Sequence, residues 1–212
     1  TLNIKERMYR SIEKQLLKWK KSPRRKPLIL LGARQIGKTY SLLDFGKKNY
    51  KYVAYINCDD NEQVKNLFLQ DYNIDRVMLA ISAITNVPIV AEDTLIIFDE
   101  IQELKRGIAS LKYFYERAPE YHICVAGSLL GITLRQGESF PVGKVNTIQM
   151  YPMTFTEFLI ARGKNLMAEL LENKDWQTLS TLHDVLIQML REYYMVGGMP
   201  EAVNVFIETN DA

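Results

Sequence analysis

The sequence predicts an α/β fold in which a parallel sheet is flanked by helices and followed by a small helical region. Three observations carry that expectation. An apolar run, Leu28-Ile29-Leu30-Leu31, leads straight into a stretch bounded by Gly32 and Gly37. A second run, Leu95-Ile96-Ile97-Phe98, ends in two carboxylates, Asp99 and Glu100. Runs of this kind alternate with helical patterns up to about residue 150, which implies parallel strands joined by right-handed crossovers; beyond that point the signal is helical only.

Each element follows from local pattern. Ile4, Met8, Ile12 and Leu16 recur every four residues with Leu17 and Trp19 beside them, predicting an amphipathic helix on the sheet's flank. Lys18, Lys20, Lys21, Arg24, Arg25 and Lys26 then form a basic run, read as a solvated linker. After the first strand, a helix is expected over 38–48, a strand at 52–57, a turn and cap cluster at Asp59-Asp60-Asn61, and helices near 62–69 and 74–84. The run ending at Asp99 is the next strand, followed by a helix near 107–117, a strand at 122–126 ending in Gly127-Ser128, and a strand at 146–150. Tyr151-Pro152-Met153 leads to a helix over 154–162, with Thr154 as its cap and Glu157 at the capping-box position. The expected division is 1–26 for the N-terminal helix and basic linker, 27–152 for the core, and 153–212 for the helical region.

With 47% hydrophobic residues in 212, the chain can bury the core of one α/β domain and a small appendage. A formal charge of +2 is too near neutral to point to nucleic acid. Cys58 and Cys124 lie in apolar segments without metal-ligand spacing and read as reduced core residues. No secretory segment or run of about 18 apolar residues occurs, so no membrane association and a cytoplasmic location are expected. The chain opens without Met and stops after a helical pattern has begun, which suggests a fragment.

The chemistry concentrates in two motifs. Gly32-Ala33-Arg34-Gln35-Ile36-Gly37-Lys38-Thr39 fits the phosphate-loop pattern G-x-x-x-x-G-K-[ST] in the strand-then-helix context that the pattern requires. Glycines let the chain wrap a polyphosphate, successive N–H groups point at its oxygens, and the helix aims its positive end at the same anion. Lys38 would reach the β- and γ-phosphates, the Thr39 hydroxyl would ligate Mg²⁺, and the contact stretch runs on to Tyr40. Arg34 and Gln35 would touch phosphates or a neighbouring strand. In the second motif a doubly buried strand emerges at its C-terminal edge, where open α/β sheets bind ligands. Asp99 is placed to hold Mg²⁺ and Glu100 to act as general base toward water. The alternative for both acids is capping of the helix that follows. No guanine-reading N-K-x-D occurs, since Asn173-Lys174-Asp175 has the wrong spacing, so ATP is expected over GTP. Ser128, at the end of the strand after Asp99, resembles a γ-phosphate sensor; its alternative is an ordinary turn.

Together with Phe98-Asp99-Glu100-Ile101-Gln102, Ala126-Gly127-Ser128, Tyr151-Pro152-Met153-Thr154-Phe155-Thr156-Glu157-Phe158 and Gly197-Gly198-Met199-Pro200-Glu201-Ala202, the phosphate loop resembles AAA-like bacterial and archaeal P-loop ATPases. Those proteins have a G-x-R-Q-x-G-K-T loop and a D-E-I-Q second motif, and commonly carry a further C-terminal domain. The resemblance runs from about residue 7 to residue 205. It implies an additional-strand core of the AAA+/STAND type, ATP with Mg²⁺, and a helical lid whose Gly198-Met199-Pro200 segment walls the nucleotide. A plain helix connection is the alternative for that segment. Family members usually have arginine where this chain has Lys144 after Gly143; Arg135 is a candidate finger for a neighbouring copy, with a solvated loop arginine as the favoured alternative. The reading is an ATP-hydrolysing switch with a protein partner or self-association. A second reading is a slow or non-hydrolysing ATP-loaded interaction module. A third, a DNA-associated ATPase, rests on the basic run and family analogy.

Overall fold

The computed structural model describes residues 8–59, 62–65, 67–68, 71–127 and 140–209. In chain order these form α1 (Ile12–Lys20), β1 (Leu28–Leu31), α2 (Lys38–Asn49), β2 (Tyr52–Asn57), α3 (Glu62–Lys65), α4 (Ile74–Thr85), β3 (Thr94–Asp99), a 3-10 turn (Ile101–Glu103), α5 (Gly107–Arg117), β4 (His122–Gly127) and β5 (Asn146–Gln149). Five further helices follow: α6 (Phe155–Ala161), α7 (Asn165–Glu172), α8 (Trp176–Thr181), α9 (His183–Val196) and α10 (Pro200–Thr209). The chain divides into two bodies, Ile12–Met150 and the pair Thr1–Ser11 with Tyr151–Ala212. Helix α1 therefore belongs with the sheet.

The first body is a five-stranded sheet in the order β2-β3-β4-β1-β5 with every pairing parallel. Strand β4 lies between β1 and β3, the insertion that an additional-strand core requires. Central strands carry helices on both faces, so they must be apolar throughout. Accordingly β3 and β4 are buried at every position, while the edge strand β2 exposes Tyr55. Ile29, Ile56, Phe98 and Val125 form a core with Val77 and Ile81 of α4 and Leu111 and Phe114 of α5. Phe68 sits edge-on to Phe98 and Phe114, at centroid distances of 6.2 and 6.1 Å. Cys58 and Cys124 are free and buried in this body, as expected.

The second body gathers Met153, Phe158, Val203 and Phe206 around Met8 and Tyr193. Helix α6 begins with the expected capping box. Thr154 accepts from the Glu157 N–H, and Glu157 accepts from the Thr154 N–H. The box leaves a carboxylate oxygen free for a second task. Glu157 Oε1 accepts the Ser11 N–H and hydroxyl at 2.7 and 2.8 Å, with the Arg10 guanidinium 3.4 Å from Oε2.

Three expectations need correction. Among the described residues α1 starts at Ile12, because Arg10 and Ser11 are held by Glu157 and Met8 packs with Met153; Ile4 lies outside the described residues. Helix α3 spans Glu62–Lys65 and the expected helix does not include Leu67 and Phe68, which form a turn; residues 66 and 69 lie outside the described residues. The Leu67 N–H bonds the Val64 carbonyl in a tightened last turn, and Leu67 and Phe68 go into the core. Half of the basic run is not a solvated linker. Lys20 lies over the Tyr50 ring, Arg25 donates to the Lys20 and Pro119 carbonyls, and Lys26 lies over the Tyr115 ring.

Candidate functional site

All five strands are parallel, so their C-terminal ends open on one edge. Register brings Leu31 opposite Gly127, Ala126 opposite Asp99, and Asp99 opposite Asn57. The glycine loop and the two acids are thus separated by the width of one strand.

Four residues fix the loop's shape. Gly32 admits no side chain: a Cβ there would lie 2.4 Å from Ile36 Cδ1 and 2.6 Å from the Met150 carbonyl oxygen. Ile36 is fully buried and forms the loop's floor. Gln35 and Gly37 adopt left-handed backbone, at φ 64° and 87°, which turns the following amides inward and builds an anion-binding concavity. The first bond of α2 runs from the Ser41 N–H to the Gly37 carbonyl at 2.9 Å. The N–H groups of Lys38, Thr39 and Tyr40 precede it and lack that intrahelical partner. Ala33, Arg34 and Gln35 are exposed at the crown, and so is the Tyr40 side chain.

Lys38 is buried, and its ammonium donates to the Gly32 and Ala33 carbonyls at 3.0 and 2.7 Å. Burial lowers its pKa; Glu100 and Asp99 pull it back up, while Arg34 opposes them. The Thr39 hydroxyl donates to Asp99 Oδ2 at 2.6 Å, spanning the gap between the two motifs. The Tyr55 hydroxyl donates to the same oxygen at 3.1 Å, and the Glu100 N–H reaches Oδ1 at 3.2 Å. Glu100 has left-handed backbone, at φ 51°, and its carboxylate accepts from Gln102 Nε2. Glu100 occupies the cap position of the 3-10 turn but makes no side-chain cap bond, so the capping alternative finds no support there.

Other expected residues fall elsewhere. Ser128 and Arg135 lie outside the described residues. Lys144 precedes β5, whose first residue pairs with the first residue of β1, so it sits at the sheet edge opposite the loop and bonds Glu116 at 3.0 Å. Gly198 and Pro200 are in the second body. The positive φ in this segment is that of Gly197, at 77°. Gly198 is needed for close approach, since a Cβ would lie 2.4 Å from the Met153 carbonyl oxygen, and its own carbonyl accepts from the Met153 N–H at 2.7 Å. Pro200 opens α10. Two residues beside the acids were assigned no role by sequence reasoning, Tyr55 and Gln102. Tyr55 shares a strand face with Asn57, which pairs with Asp99, so alternation along β2 was the available signal once the register was known.

The strand insertion and the loop facing paired acids define a P-loop architecture of the AAA type. The AAA domain family matches residues 24–159, more than half of the chain, and the chain belongs to that family. Membership implies, at the family level, a nucleotide-binding ATPase domain. Among solved structures, a RuvB variant from Thermotoga maritima is 16% identical, with a TM-score of 0.43, covering 76% of this chain and 50% of that one. The chain thus spans about half the length of that protein. No curated protein matches the sequence. Among the described residues no helix is long and apolar enough to cross a membrane.

Proposed function

We propose that this chain binds ATP with Mg²⁺ and hydrolyses it as a nucleotide-driven switch. The observation that carries this reading is the 2.6 Å bond from Thr39 of the loop to Asp99 of β3, with Lys38 and Glu100 as their chain neighbours. Among the described residues no cluster of three His, Cys, Asp or Glu side chains could hold a metal. A hydroxyl and a carboxylate on a shared contact nevertheless suit Mg²⁺, a hard cation that takes few protein oxygens and fills its shell with phosphate and water. Bound there, it would offset charge on the β- and γ-phosphates.

The chain's own groups supply the rest. Lys38 exchanges its two loop carbonyls for phosphate oxygens, so its charge is delivered without a large side-chain rearrangement. Amides of the loop and of the first turn of α2 take the remaining phosphate oxygens. Glu100 orients water and accepts its proton, and Ser128 contributes a polar group to the γ-phosphate. Phosphoryl transfer asks for positioning and charge neutralisation rather than covalent chemistry, which is what this set can provide. ATP is the nucleotide because the chain lacks a guanine-reading motif.

Glu100→Gln tests the reading. It keeps size and hydrogen bonding but removes the base, while Asp99 and Thr39 stay. The variant should bind ATP·Mg²⁺ as wild type does and hydrolyse it at least about 100-fold more slowly. Lys38→Ala should lose tight binding in calorimetry. A wild-type rate in Glu100→Gln, with Lys38→Ala inactive, would assign the base elsewhere. If the wild type shows no turnover even when concentrated, the chain is an ATP-loaded interaction module.

A further inference from the structure

The D-E-I-Q stretch contains a glutamine that the catalytic reading leaves unused. Gln102 is only 6% exposed, in the 3-10 turn directly after the two acids. Burying a primary amide costs free energy unless all its polar atoms find partners. Here one does. Gln102 Nε2 donates to Glu100 Oε2, while Gln102 Oε1 is buried with no partner among the described residues. Glu100 itself has left-handed backbone, at φ 51°. An apolar residue of the same length would fill this site without an unpaired oxygen, so packing alone does not call for glutamine. A buried group kept at a cost to stability, against a proposed catalytic carboxylate, points to a role in the site.

We infer that Gln102 is a positioning residue for Glu100: its amide clamps Oε2 and leaves Oε1 to accept a proton from the attacking water. A carboxylate on a flexible two-carbon arm loses rate when it samples orientations that miss the water, and a single fixed hydrogen bond restricts that sampling. Gln102 touches neither nucleotide nor water in this scheme. Its whole effect passes through Glu100. The inference rests on the hydrolytic reading above.

The test is Gln102→Met, which preserves length and removes both polar atoms, with Gln102→Ala as a second variant. Gln102→Met should melt at or above the wild-type temperature, because the unpaired Oε1 is gone. It should bind ATP·Mg²⁺ with wild-type affinity and an unchanged KM, while kcat falls by about tenfold or more. Gln102→Ala should lose kcat to a similar degree, whatever its stability. In a Glu100→Gln background, single-turnover rates should show no further loss on adding Gln102→Met, because the group it positions is no longer a base. A merely structural glutamine would give the opposite pattern, with lowered melting temperature and retained kcat. If wild type turns over, Glu100→Gln is slow, and Gln102→Met keeps the wild-type kcat, the positioning role is wrong and the base assignment stands. A further loss in the Glu100→Gln background of the same size as in wild type also overturns it. If Glu100→Gln itself keeps the wild-type rate, or wild type has no turnover, the hydrolytic reading fails and this inference with it.

Discussion

A methyl group at residue 32 would have to displace two neighbours of different stiffness. Ile36 Cδ1 is the far end of a side chain and can rotate, but the Met150 oxygen belongs to backbone whose N–H is bonded to the Leu31 carbonyl at 2.8 Å. Gly32→Ala should therefore move the loop rather than the strand. We expect a loss of about 1 to 3 kcal/mol in unfolding free energy, the usual range for overpacking, and weaker ATP·Mg²⁺ binding. Denaturant titration and calorimetry on the same preparation check both; unchanged values would show that the loop has room the geometry denies. Gly32, Lys38, Thr39 and Asp99 were legible in the sequence because a phosphate loop is defined by contiguous spacing, and the acid by its place at the end of an apolar run. Tyr55 was not. Its hydroxyl meets Asp99 across a strand pair, and which residue of β2 lies beside the acid depends on a register that one sequence does not state.

Elements with strong local signals stand where periodicity put them. Helix α5 and strand β2 match their expected bounds, and α2 and α4 extend one residue past theirs. Disagreement comes where a tertiary contact outweighs the local pattern, as when the four-residue spacing of Ile4, Met8 and Ile12 is broken between Met8 and Ile12. The cause is Glu157. As a capping-box residue its Oε2 serves α6, and its Oε1 binds Ser11, so one buried carboxylate starts a helix and pins the chain 146 residues away. Glu157→Ala leaves the Arg10 guanidinium buried without that carboxylate and removes the box. The loss should be about 3 kcal/mol or more, the range for breaking a buried pair. Glu157→Gln, which keeps an acceptor and the reach, should lose less. Hydrogen exchange of α6 amides resolves the effect locally: equal protection in Glu157→Ala and wild type would mean that the contact contributes little.

At the scale of the whole molecule, alternation of strands and helices made a parallel sheet legible, whereas strand order needed more than alternation. Placing β4 between β1 and β3 followed from the family resemblance, and the pairing of β4 with both confirms it. What the sequence did not show is the polar cluster at the sheet's other edge. His122, the first residue of β4, is 4% exposed, with the Tyr50 hydroxyl 2.6 Å from Nδ1 and Trp19 edge-on at 6.0 Å. Burial, then Arg25 and Lys20, lowers its pKa from 6.5 to about 4. Above pH 6.5 the imidazole is neutral folded or unfolded, so it adds no pH dependence. Between pH 6.5 and 4 the unfolded chain takes up the proton first, and stability falls as pH falls; below about 4 both states are protonated and the slope from this group ends. The shift corresponds to about 3 kcal/mol at most. Carboxylates titrate in the lower part of this window, so the measurement is a difference. His122→Gln retains a partner for Tyr50 and cannot titrate. Unfolding free energy of wild type minus that of His122→Gln, followed from pH 7.5 to 4, should decline steadily toward the acid end, by an amount approaching that ceiling. A difference that stays constant with pH would mean that His122 is protonated as readily in the fold as in the open chain, and that the cluster of Trp19, Tyr50 and Arg25 does not exclude its charge.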